Sequence, residues 1–132
     1  IVLEIDPDCL NVLFNMAQAL YALGGYDRAI VTYNGVLEIY IQDVNSLFGK
    51  AEALRMLGDF EQAKATYEAV LEQDPEHLDA LFGKAESLRM LGEDEQALVV
   101  FEKISVKEHE FLGAKLVIAE SLFKLGKYQE AI

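Results

Sequence analysis

The chain has 132 residues, 52% of them hydrophobic, and its 23 acidic against 11 basic side chains give a formal net charge of −12. So acidic a surface repels phosphate backbones and anionic lipid and steers cationic partners towards itself, which disfavours nucleic-acid and membrane binding. The single cysteine, Cys9, rules out an internal disulfide and fits a reducing, cytoplasmic setting, and no apolar run has the length of a transmembrane helix.

In chain order, Ile1–Ile5 reads as the end of a helix, closed at Asp6-Pro7 because proline disfavours helix in the residue before it. The same step returns at Asp74-Pro75, so residues 1–9 are expected to be the tail of a repeat and the chain a segment of a longer one. From Leu10 to Leu23 the apolar residues Leu13, Met16, Ala17, Leu20 and Leu23 fall at helical spacing. Gly24-Gly25 stops that helix, and a second follows from Tyr26 to Ile39 with Ala29, Ile30, Tyr33, Val36 and Leu37 inward. Two helices joined by so short a turn pack antiparallel, as a hairpin.

The pattern then repeats. LFGKAEALRMLGDFEQA at Leu47–Ala63 returns as LFGKAESLRMLGEDEQA at Leu81–Ala97, with fainter copies at Leu13–Ala29 and Lys115–Ala131. Gly24, Gly58, Gly92 and Gly126 mark a step of 34 residues, as do Ala29, Ala63, Ala97 and Ala131. A period of this length specifies a solenoid whose core is laid down unit by unit. The expected units are 10–43, 44–77 and 78–111, with a partial unit at 112–132. Ala51, Ala63, Ala85 and Ala97 are expected at the helix contacts, with Leu54, Tyr67, Leu88 and Phe101 filling the space between hairpins. Asp94 stands where other units have Tyr26, Phe60 and Tyr128, and should loosen the third turn.

Period and residue order resemble the tetratricopeptide repeat, on Leu47, Ala51, Leu54, Ala63, Tyr67 and Pro75 and their counterparts in the neighbouring units. The usual Trp is Leu throughout, and the closing Pro becomes Ile41 and His109. Lys50 and Lys84 occupy a position usually apolar, their stems packed and their amines in solvent. The resemblance implies an all-α, right-handed superhelical solenoid of antiparallel helix hairpins, with a concave groove lined by each first helix. It maps that groove onto Asn11, Phe14, Gln18 and Tyr21; Asn45, Phe48, Glu52, Arg55 and Met56; Asp79, Phe82, Glu86, Arg89 and Met90; and Glu120, Phe123 and Lys124. The residues agree in part, since Phe48, Glu52 and Arg55 form a stripe beside the core stripe and cannot all be buried by their own hairpin. Phe14, Phe48 and Phe82 serve equally well as cover for a neighbouring repeat. Glu52/Arg55 and Glu86/Arg89 have the spacing of surface ion pairs worth a few tenths of a kcal/mol.

The Lys/Asn/Arg clamp with which some relatives hold a terminal carboxylate is absent, its positions being Phe14, Gln18, Gly49, Asp79 and Gly83. An asparagine ladder has only Asn15 at its position, followed by Gly49 and Gly83. No nucleophile–base order, phosphate loop or metal motif is present. His77 and His109 lie beside acids in turns, an ordinary surface arrangement. The expectation is a non-catalytic scaffold, without cofactor or metal, that takes a basic or amphipathic peptide or helical segment in its groove. The alternatives are a substrate-recruiting or regulatory arm of a larger enzyme, and self-association through open repeat ends.

Overall fold

A computed structural model of the chain describes residues 7–106. Its helices are α1 (Pro7–Ala22), α2 (Tyr26–Leu37), α3 (Val44–Met56), α4 (Phe60–Gln73) and α5 (Leu78–Met90). A sixth, α6, covers residues 94–106 of the described chain. No strand occurs among the described residues. Pro7 opens α1 a turn earlier than the repeat pattern suggests, because proline lacks only an N–H that the first helical turn leaves unpaired anyway.

Each hairpin turn closes by one device. Gly24, Gly58 and Gly92 have φ of 84°, 85° and 82°, a left-handed backbone that glycine adopts without steric cost. Their N–H groups reach back to Tyr21, Arg55 and Arg89 carbonyls at 3.0 Å, and the next N–H reaches the Leu20, Leu54 and Leu88 carbonyls at 2.8–3.0 Å. This pair of hydrogen bonds satisfies two of the last carbonyls of the first helix. Asp59 supplies such an N–H to α3, and its carboxylate also accepts from Gln62 N–H to cap α4. One residue thus ends one helix and begins the next. Asp94 leaves the third turn's hydrogen bonds intact.

The joints between hairpins are also alike despite different residues. Asp43 N–H bonds the Tyr40 carbonyl and His77 N–H that of Asp74, both at 3.1 Å. Each then caps the helix it opens, Asp43 through its carboxylate to Ser46 N–H and His77 through Nδ1 to Ala80 N–H at 3.0 Å. Ile41 therefore stands in for Pro75 without loss of the turn.

Successive helices pack against each other, and α1 touches α3 and α3 touches α5, whereas α2 and α4 do not meet. The first helices of the hairpins therefore line the inside of the curve, and the second helices splay on the outside. Ala17, Ala29, Ala51, Ala63 and Ala85 are fully buried at the helix contacts, as their small size predicts, and Ala97 nearly so. Leu54, Tyr67 and Leu88 are buried between hairpins. Ile30 packs against both the first and second clusters of this core and Leu71 against both the second and third, so the core is a chain of linked cells. Leu23 and Met16, expected on the core stripe, are exposed, and so is Leu57, which holds the position of Leu23 one repeat on. Leu23 and Leu57 lie past the ends of their helices, where the backbone turns away, and Met16 sits on the outer flank of α1. Lys84 keeps its stem half-buried, yet its amine lies 3.7 Å from Glu68 of α4 and ties the second hairpin to the third.

Aromatic rings lie tight between hairpins. A Cβ at Gly49 would overlap the ring of Tyr33, and one at Gly83 the ring of Tyr67. Tyrosines of α2 and α4 thus lie flush on the backbone of α3 and α5. Gly83→Ala is expected to cost about 1–3 kcal/mol by overpacking. Gly35→Ala, in the last turn of α2 with open space around it, is expected to gain up to about 1 kcal/mol from helix propensity. Thermal denaturation checks both, and shifts of the same sign would overturn this packing account.

Candidate functional site

Each first helix carries one Phe on its inner side, and each Phe meets the aromatic of the second helix in the same hairpin. Phe14 meets Tyr33 with ring centroids 5.9 Å apart, Phe48 meets Tyr67 at 6.1 Å and Phe82 meets Phe101 at 6.1 Å. Edge-to-face and tilted pairs at such distances are favourable beyond their buried area. Phe48 is held again by the His77 ring, 4.9 Å away across the joint. These phenylalanines thus cover an aromatic ring of their own hairpin, and only Phe48 also reaches across a joint, to His77.

Between α1 and α3 lies an open hollow of about 300 Å³, lined by Phe14, Gln18, Tyr21, Tyr33, Asn45, Phe48, Gly49 and Glu52. A second, of about 310 Å³, adjoins it through Phe14 and Asn45 and is lined further by Leu10, Asn11, Val36, Tyr40 and Asp43. The seven groove candidates Asn11, Phe14, Gln18, Tyr21, Asn45, Phe48 and Glu52 thus share one continuous depression. No Lys or Arg lines either hollow.

Met56 of α3 and Asp79, Phe82, Arg89 and Met90 of α5 are exposed, Glu86 of α5 is half-buried, and none of them lines either hollow. Glu120, Phe123 and Lys124 lie outside the described residues, as do residues 112–132 as a whole. Sequence reasoning missed Tyr33, Val36, Tyr40 and Gly49 as lining. They belong to second helices, joints and packing positions, and only the identity of the glycine hinted at a close approach.

Glu52, Arg55 and Tyr67 form a closed triangle. The Tyr67 hydroxyl donates to Glu52 Oε1, Arg55 Nε donates to the same hydroxyl at 3.1 Å, and Arg55 Nη2 donates to Glu52 Oε2 at 2.9 Å. Burial first, and then the bond to the Glu52 carboxylate, push the Tyr67 phenol well above its ordinary range. Burial works against the Arg55 charge, but the bonds to Tyr67 and Glu52 outweigh it and raise Arg55 further. Burial also raises Tyr21 and Tyr33, with Glu52 adding to the effect at Tyr21 and Tyr21 adding to it at Tyr33. Glu86 and Arg89 form the same pair at 2.9 Å, without a hydroxyl to close it.

Among the described residues, no group of three His, Cys, Asp or Glu is placed to hold a metal ion, and no helix is long and apolar enough to cross a membrane. His77 is engaged as a helix cap, and Cys9 is exposed.

The triangle has a pH signature. Unfolded tyrosine gives up its proton near pH 10, whereas folded Tyr67 keeps its own, so the unfolded state binds fewer protons there. Stability is expected to be fully present below pH 10 and to fall as pH rises above it. Tyr67→Phe is expected to cost about 1–3 kcal/mol at neutral pH and to flatten part of that alkaline fall, Tyr21 and Tyr33 keeping the rest. Urea denaturation at neutral and alkaline pH checks this, and an unchanged alkaline slope would refute it.

Two family models described as tetratricopeptide repeat match the chain, one over residues 48–105 and the other over residues 11–40. Among solved structures, MamA AMB-1 is similar with a TM-score of 0.74 and 25% identity, over 79% of this chain and 62% of that one. MamA MSR-1 gives 0.72 and 25%, over 79% and 60%. The second TPR of Spaghetti (RPAP3), bound to HSP90 peptide SRMEEVD, gives 0.70 and 18%, over 74% and 90%, a likeness of fold alone. The chain spans about three fifths of the length of these MamA structures. No curated protein matches it. The two family matches, the period and the hairpin solenoid agree, and the chain belongs to the tetratricopeptide repeat family.

Proposed function

We propose that the chain is a protein-interaction scaffold that docks an amphipathic peptide or helical segment on the inner surface of its first helices. The observation that carries this reading is the continuous depression over α1 and α3, where Phe14 and Asn45 are shared by two adjoining hollows. Phe14 and Phe48 offer apolar faces there, and Asn11, Gln18 and Asn45 offer amides that donate and accept hydrogen bonds. That mixture suits a segment with one apolar and one polar face. The net charge of −12 favours approach of a segment that is basic over its length.

The Spaghetti structure holds an acidic peptide, SRMEEVD, on the same kind of fold. Here no Lys or Arg lines the hollows, so a like acidic tail is a poor match for them. The pockets take apolar and neutral polar groups instead.

A peptide-display library selected on the intact chain tests the proposal. Selected amphipathic peptides are expected to lose at least about tenfold in affinity to Phe14→Ala and to Asn45→Arg. Val31→Ser, exposed on α2 away from the depression, is expected to leave affinity unchanged. Circular dichroism confirms that each variant folds. Equal loss for Val31→Ser, or selection of no peptide, would overturn the reading.

A further inference from the structure

The second and third hairpins carry the same Glu/Arg pair, and the residue that separates them lies elsewhere. Tyr67 of α4 has Phe101 of α6 as its counterpart one repeat on. The rings stand at the same distance, 6.1 Å, from Phe48 and from Phe82 respectively, but Tyr67 is fully buried, Phe101 is only partly buried, and Phe101 lacks the hydroxyl. In the second hairpin that hydroxyl joins both members of the pair. Arg55 is held at Nε and Nη2, and its side chain is 26% exposed. In the third, Arg89 keeps only its bond to Glu86, and its side chain is 54% exposed. The first hairpin has the uncharged Gln18 and Tyr21 at the same two positions.

We infer that Arg89 is the specificity-determining cation of this surface, reading a carboxylate on the docked segment, while the Tyr67 hydroxyl locks Arg55 into the scaffold. A guanidinium has five N–H donors in a planar fork, and one bond to Glu86 leaves a pair of donors for a second carboxylate. On α5, exposed Met90 directly follows Arg89 and exposed Phe82 lies about two turns earlier on the same side, so the segment meets apolar surface on either side of its acidic residue. Asp94 adds a weaker attraction at Arg89, so Glu86 and Asp94 are the acidic groups a ligand carboxylate must compete with. Arg55 and Arg89 are the only arginines among the described groove candidates. With Arg55 locked, an acidic residue on a segment that is otherwise basic or neutral finds one partner, which fixes its register. This inference rests on the docking reading proposed above.

The lock and the readout are tested separately. Phenylglyoxal, which modifies accessible guanidinium groups, is expected to label Arg89 at least about tenfold faster than Arg55 in the intact chain, followed by peptide mass spectrometry. Tyr67→Phe is expected to bring Arg55 up towards the Arg89 rate, and Phe101→Tyr to slow Arg89. Equal labelling of the two arginines in the parent, or no response to either hydroxyl change, would overturn the lock. The readout is tested with a randomised amphipathic peptide library selected in parallel on the parent, Arg55→Gln and Arg89→Gln. One position enriched in Asp or Glu is expected on the parent and on Arg55→Gln, and lost on Arg89→Gln. Apolar enrichment without an acidic position would overturn this inference and leave the docking reading standing. Selection of no peptide on the parent would overturn both.

Discussion

A tyrosine ring laid on a glycine backbone is the contact on which the stacking of this solenoid depends. Tyr33 occupies the space that a side chain at Gly49 would need, and Tyr67 does the same at Gly83. Each ring is nearly or fully buried, so it is gripped on one face by its own hairpin and on the other by the next. Close packing leaves no slack at such a place. The distance between hairpins is therefore set by a ring thickness and a bare backbone, and the inner surface inherits its spacing from that stack. Alanines at the helix contacts do the same within each hairpin.

The curvature follows from an asymmetry in these contacts. First helices reach the next first helix, while α2 and α4 stay apart. The phenylalanines that cover the tyrosines are consequently presented on the inside of the curve, with amides and one Glu/Arg/Tyr triangle among them. Residues that brace the stack, such as Tyr33 and Phe48, also line the depression. The triangle's charges are tied to one another by a hydroxyl from the second helix, whereas the pair one repeat later has no such hydroxyl and its Arg89 is more exposed.

Much of this was legible in the chain. The left-handed glycines at 24, 58 and 92, the buried alanines and the paired glutamates and arginines all express local rules that recur at a fixed step. Seven of the groove candidates share one depression because helical periodicity alone puts them on one face of α1 and α3. The misses have separate causes. Leu23 and Leu57 fit the apolar period but fall beyond the helix ends, where periodicity no longer says which way a side chain points. Gly49 and Gly83 read as vacancies in a binding pattern, whereas their bareness is the imprint of a ring from the preceding hairpin. That ring lies 16 residues earlier in the chain, Tyr33 to Gly49 and Tyr67 to Gly83, and nothing local connects the two.

The sequence by itself determined the fold class, the repeat step and the hairpins. Those depend on backbone propensity, capping and hydrophobic period, all of which act over a few residues and are repeated in each unit. The tertiary structure alone decided how far apart the hairpins stand, which aromatic covers which glycine, and which of two identical ion pairs is locked. Those outcomes need atoms from different helices in one place. A single hydroxyl on Tyr67, absent from Phe101, changes the company an arginine keeps only because α4 and α6 fold back across the helices that carry Arg55 and Arg89.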